Sequence, residues 1–111
     1  MDLKLVYATY PSLAGAEAAA RQLVEAQLVA CANILPAMVS VYRWEGQVER
    51  ADEVVLLLKT TAAQAGAVVE PVRAGHPYEV PAIVILPVEG SHPAFAAWVA
   101  AEAAGSPHAP A

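Results

Sequence analysis

The chain has 111 residues, 11 of them acidic against 6 basic, for a net charge of −5. That length is one domain, and the acidic balance argues against nucleic acid, whose phosphates require a basic face. Apolar residues make up 58% and charged ones 15%, which excludes a disordered chain, while no apolar run reaches the roughly 20 residues of a membrane crossing. Residues 3–10 are rich in strand formers and stop at Pro11, so they read as a first strand. Ser12 is placed to cap a helix whose apolar stripe is Ala16, Ala20, Leu23, Val24 and Leu28, ending near Leu28.

A second strand over residues 31–35 breaks at Pro36, where a ladder donor is missing, and resumes over 38–44. Glu45-Gly46 is a two-residue hairpin loop. It sets Tyr42 opposite Glu49 and Met38 opposite Glu53. Residues 47–60 return as a long strand that turns almost wholly apolar from Val54. Thr61-Ala62-Ala63-Gln64 is a capping box. It opens a helix with the stripe Ala65, Val68, Val69 and Val72. Pro71 lies in that stripe, and a helix interior tolerates proline poorly, so a kink or an early end is expected there.

Residues 83–88 form a short continuous apolar run, expected as a strand buried on both faces. Ser91 caps a last helix with Phe95, Trp98, Val99 and Glu102 on one face, and Trp98 is assigned to the core. Residues 1–104 form the domain, and residues 105–111, beginning at Gly105, read as a flexible tail.

The order β-α-β-β-α-β with a terminal helix implies an α+β, ferredoxin-like sandwich: one sheet with helices on one face. The other face needs a cover. A small domain has much surface for its volume, and here charge covers it thinly. A partner subunit is the natural cover.

The densest chemical cluster is His76-Pro77-Tyr78-Glu79-Val80-Pro81, an imidazole, a phenol and a carboxylate in a loop stiffened by two prolines. It reads equally as a pre-organised binding site or as a structural turn. Cys31 is the single cysteine, so no internal disulfide is available and a reducing cytoplasm fits. It is a candidate soft-metal ligand, or a small buried apolar side chain. His76, His92 and His108 are too scattered to complete a legible metal site with it. Ser40, Tyr42 and Trp44 share one strand face and Lys59 ends the partner strand, which suits a ligand pocket or a subunit interface. Asp52 and Glu53 are adjacent on a strand, hence on opposite faces, and make poor acid–base partners. Neither a phosphate-cradling loop nor a nucleophile set is present.

At Leu28-Val29-Ala30-Cys31-Ala32-Asn33-Ile34, Ser40-Val41-Tyr42-Arg43-Trp44-Glu45-Gly46, Lys59-Thr60, His76-Pro77-Tyr78-Glu79-Val80-Pro81 and Trp98, the chain resembles the CutA divalent-cation tolerance family. The resemblance implies a cytoplasmic homotrimer, similar in architecture to PII signalling proteins, with a role in tolerance of copper and other divalent cations and no enzymatic activity or required cofactor. The clustered polar positions it implies for clefts between subunits fall on Cys31, Tyr42, Trp44, Lys59, His76, Tyr78 and Glu79. His76, Cys31 and Glu79 are the metal candidates among them. Two metal-binding positions of some relatives are lost, at Ala8 and Gly75, so binding of Cu2+ or another divalent cation is expected to be weak. The competing expectation is a PII-like signalling adaptor that uses Lys59 to bind a small anionic ligand or a partner protein, with metal incidental.

Overall fold

In the computed structural model, which describes residues 2–105, β1 runs over Leu3–Tyr10. The helix α1 follows over Leu13–Glu25, with Ser12 Oγ accepting from the Gly15 N–H. It ends three residues before Leu28. Gln27 takes a left-handed conformation (φ 59°), Leu28 N–H bonds Leu23 O, and Gln27 N–H bonds Val24 O. That is a Schellman ending with a glutamine where glycine is usual, so the sequence carried no stop signal.

Strands β2 (Cys31–Trp44) and β3 (Gln47–Thr61) form the long hairpin. Glu45 and Gly46 both have positive φ, 51° and 79°, as a type I′ turn requires. The resulting register sets Tyr42 opposite Glu49 and Met38 opposite Glu53, as read from the sequence. β2 does not break at Pro36. Instead the register shifts between Leu35 (opposite Val55) and Met38 (opposite Glu53), so β2 spends one residue more than β3. This is a bulge on an edge strand, where a missing N–H costs little.

Thr61 caps α2 (Ala62–Ala74) by accepting from the Gln64 N–H. The capping box is only half made, because the Gln64 amide instead donates to Ala103 O and Gly105 O. Pro71 neither ends the helix nor stands at its boundary: α2 continues to Ala74 and buries Val72 against the core. Burying a valine contributes about 1.5–3 kcal/mol, enough to offset most of the lost hydrogen bond.

With β4 (Ile83–Pro87) the sheet order is β2-β3-β1-β4, every neighbouring pair antiparallel. This is the expected α+β, ferredoxin-like sandwich. Val6, Ala8, Tyr10, Val54, Leu56 and Leu58 pack against Ala16, Ala20 and Leu23 of α1 and Val68 and Val72 of α2. The alternate residues point to the opposite, open face. β4 is not buried on both faces. It is an edge strand, and Val84, Ile85 and Leu86 stay 40–47% exposed.

The last helix, α3 (Pro93–Glu102), is capped by His92 rather than Ser91, with Nδ1 accepting from the Ala94 N–H. It packs on Leu3 and Ala30 through Ala96, Val99 and Ala103. Trp98 is therefore not core. The small residues form the contact stripe, allowing close approach. Phe95 and Trp98 pair at 5.9 Å between ring centroids and stay exposed. Gly105, assigned to the tail, is held by Gln64 and by its own N–H to Gln27 O. The rest of the expected tail, 106–111, lies outside the described residues. No described helix is long and apolar enough to cross a membrane.

Candidate functional site: a groove on the open sheet face

The bulge at Pro36 determines which side chains meet. Before it, Cys31 and Leu35 lie opposite odd-numbered residues of β3; after it, Met38, Ser40, Tyr42 and Trp44 do so. All of them share the open face with Glu53, because directly paired residues project to the same side. Because the turn fixes Tyr42 opposite Glu49, it is Cys31 and Leu35 that would point the other way without the extra residue.

A groove of about 820 Å³ lies along this face, floored by Tyr7, Thr9, Ser40 and Glu53. Tyr42 and Trp44 on the hairpin wall one side; Pro77, Tyr78, Glu79 and Val80 of the proline-stiffened loop wall the other. Its size is that of a small-molecule pocket. Glu53 is only 9% exposed, and no ion pair or side-chain hydrogen bond engages it among the described residues. Burial, and then the facing Glu53 carboxylate and Tyr42 phenol, hold the Tyr78 phenol above its ordinary pKa. Tyr78 therefore remains a hydroxyl donor at neutral pH.

His76 stands behind this wall as a strut. Its ring is buried and packs at a tilt against Tyr10, at 4.3 Å, and Tyr78, at 5.0 Å between centroids. Nε2 bonds Thr9 O at 2.6 Å, and Nδ1 accepts from the Tyr78 N–H at 3.1 Å. A carbonyl cannot donate and an amide N–H cannot accept, so the ring is set as the Nε2–H tautomer. The loop is thus tied to the end of β1 through both ring nitrogens. The two readings of the loop, binding wall and structural turn, divide between its residues: Tyr78 and Glu79 line the groove, and His76 holds it.

Ser40, Tyr42, Trp44, Tyr78 and Glu79, all singled out in the sequence, converge on this groove. Cys31 and Lys59 do not. They are paired with each other six residues along β3 from Glu53, about 20 Å at ~3.3 Å per residue. Lys59 Nζ lies 5.5 Å from the Phe95 ring centroid. Consistently, no group of three or more His, Cys, Asp or Glu side chains forms a metal cluster among the described residues. Sequence reasoning missed Glu53, Thr9 and Tyr7 as site residues. For Glu53 a signal existed: the hairpin register sets a carboxylate opposite Met38, at the edge of an apolar run.

The sequence from residue 4 to residue 102 matches the family model described as CutA1 divalent ion tolerance protein. The chain is 41% identical to "Protein CutA homolog" of Xenopus laevis over 88% of its own length and 65% of that relative's. It is 42% identical to "Divalent-cation tolerance protein CutA" of Thermus thermophilus over 86% of this chain and 93% of that one. The fold superposes on the solved "Periplasmic divalent cation tolerance protein CutA" of Archaeoglobus fulgidus with a TM-score of 0.88, at 35% identity, covering 91% of this chain and 98% of the other.

Proposed function

Since the chain belongs to the CutA1 divalent ion tolerance protein family, we propose that it acts in tolerance of divalent cations as a homotrimer that binds metal, copper included, weakly at clefts between subunits. The observation that carries this reading is the family match over residues 4–102. Assembly is supported by the open face, where Leu35 on the edge strand β2 and Val84 and Leu86 on the edge strand β4 stay 40–52% exposed. Apolar exposure of that kind on an unpaired edge is an aggregation hazard unless a neighbouring copy covers it.

The metal donors of this reading are His76, Cys31 and Glu79. Copper favours imidazole and thiolate. Cys31 and the groove lie about 20 Å apart within one chain, so a shared metal draws its donors from two subunits. His76 ligates through Nδ1 only by giving up the Tyr78 N–H, at about 1 kcal/mol for that bond. Weak binding follows. The reading assigns no catalysis and no required cofactor, and it places the protein in a reducing cytoplasm that keeps the Cys31 thiol free. The A. fulgidus relative is titled periplasmic, which makes cell fractionation the check on that placement. An anion-binding adaptor gains nothing from this site: the groove carries two carboxylates and no basic side chain, and Lys59 lies over Phe95.

Calorimetric titration of the assembled protein with Cu2+ tests the metal reading. Micromolar or weaker affinity, reduced in both His76→Ala and Cys31→Ser and unaffected by His92→Ala, is the expected pattern. Nanomolar binding, or binding indifferent to both changes, refutes the donor set.

A further inference from the structure

We propose that the loop of residues 76–81 is a latch on His76: closed, it withholds both ring nitrogens, so capture of a divalent metal at His76 requires the loop to open. The inference rests on the metal reading for the identity of the donor and adds what controls it. Three observations support it. Nε2 holds the proton that Thr9 O accepts at 2.6 Å, so Nδ1 has the ring's one free lone pair, and that lone pair receives the Tyr78 N–H at 3.1 Å. Imidazole ligates a metal through such a lone pair. The closed loop leaves none to give.

The second observation is burial. The ring is 9% exposed and lies between the rings of Tyr10 and Tyr78. A covering subunit can only lower that exposure, and both hydrogen bonds lie within one chain, so the closure belongs to the assembled protein as much as to the single chain. The third is that the two anchors of the ring differ. Thr9 is held in β1 opposite Val55, and Tyr10 is part of the core. Tyr78 lies in the segment between α2 and β4, outside helix and sheet. The part that yields is therefore Tyr78, and its departure takes Tyr78 and Glu79 out of the groove wall. Coupling of this kind is reciprocal: whatever loosens the loop tightens metal binding, and bound metal loosens the loop.

Two substitutions loosen the latch without removing a metal donor. Tyr78→Pro deletes the N–H that fills Nδ1. Tyr78→Ala keeps the N–H but removes the ring packed on His76, and it keeps the test open if the proline prevents folding. In calorimetric titration of the assembled proteins with Cu2+, each should bind roughly two- to tenfold more tightly than the parent. The gain should vanish when His76→Ala is added. Hydrogen exchange, read by mass spectrometry on the peptide that holds the Tyr78 amide, should quicken severalfold when the parent is saturated with Cu2+, approaching the rate of metal-free His76→Ala. Parent binding that ignores His76→Ala refutes the metal reading alone; the latch is then upheld by His76-dependent Cu2+ binding that appears only in the loosened proteins. Loosened proteins with parental affinity, or a gain that survives His76→Ala, overturn the latch. So does a Tyr78 amide that stays protected while Cu2+ is bound in a His76-dependent way.

Discussion

Tyr10 offers a sharp test of the core. Its side chain is 2% exposed, its ring packs against His76 at 4.3 Å, and its Oη is buried without a hydrogen-bond partner among the described residues. An unsatisfied buried hydroxyl costs about 1–3 kcal/mol. Tyr10→Phe removes that cost and keeps the ring. The void left by one oxygen, on the order of 10 Å³, returns only about 0.2 kcal/mol. The variant should therefore be more stable than the parent by about 1 kcal/mol at neutral pH. The gap should also widen in alkali. Burial raises the Tyr10 pKa above the ordinary 10.0, so at higher pH the unfolded chain loses this proton while the folded chain still holds it. Stability then falls as pH rises from the ordinary phenol value through the folded one. Tyr78, also raised, contributes a second component of the same sign, separable in Tyr78→Phe. Urea unfolding from pH 7 to 11, at one fixed protein concentration, is the assay. A Tyr10→Phe protein less stable by about 1 kcal/mol, or one whose alkaline profile runs parallel to the parent's, means that the hydroxyl has a partner and the reasoning fails.

Three further outcomes follow from the same geometry. Thr60 Oγ1 donates to Leu28 O at 2.6 Å in the buried interior, so Thr60→Val should cost about 1–2 kcal/mol in urea unfolding; a neutral change would show that Leu28 O is otherwise satisfied. A Cβ on Gly105 would overlap Ala26 O and Gln27, both backbone-anchored. Gly105→Ala should accordingly lower stability by more than about 1 kcal/mol and speed amide exchange in α3, and a wild-type exchange pattern would argue against it. If the open face is covered by neighbouring copies, the thermal midpoint should rise with protein concentration, and light scattering should give three times the chain mass; a stable monomer at micromolar concentration rules out the trimer.

The fold was legible because its signals are local. Alternation in β1, the Glu45-Gly46 turn and the Ser12 and Thr61 caps each specify nearby backbone, and together they give the strand order by topology alone. The misreadings share the opposite character. Gln27 ends α1 from a left-handed conformation that tertiary contacts impose, including the Gly105 N–H on its carbonyl. Trp98 looked like core by hydrophobicity, yet small residues one position away make the contact. Pro71 obeys burial over propensity.

The site was legible on one side of Pro36 and illegible across it. The Glu45-Gly46 turn alone sets Tyr42 opposite Glu49 and Met38 opposite Glu53, which places Tyr42, Trp44 and Glu53 on one face. How the residues before Pro36 stand to them is a different matter. One extra residue in β2 exchanges the faces of everything on its far side from the turn. The sequence marks Pro36 as a break but does not say how many residues the break inserts. Only the paired register resolves that, by setting Leu35 opposite Val55 and Met38 opposite Glu53. That count brings Cys31 onto the open face, yet at the end away from the groove, opposite Lys59. Six residues of β3 separate it from Glu53, about 20 Å, so a metal shared by Cys31 and Glu79 requires two subunits.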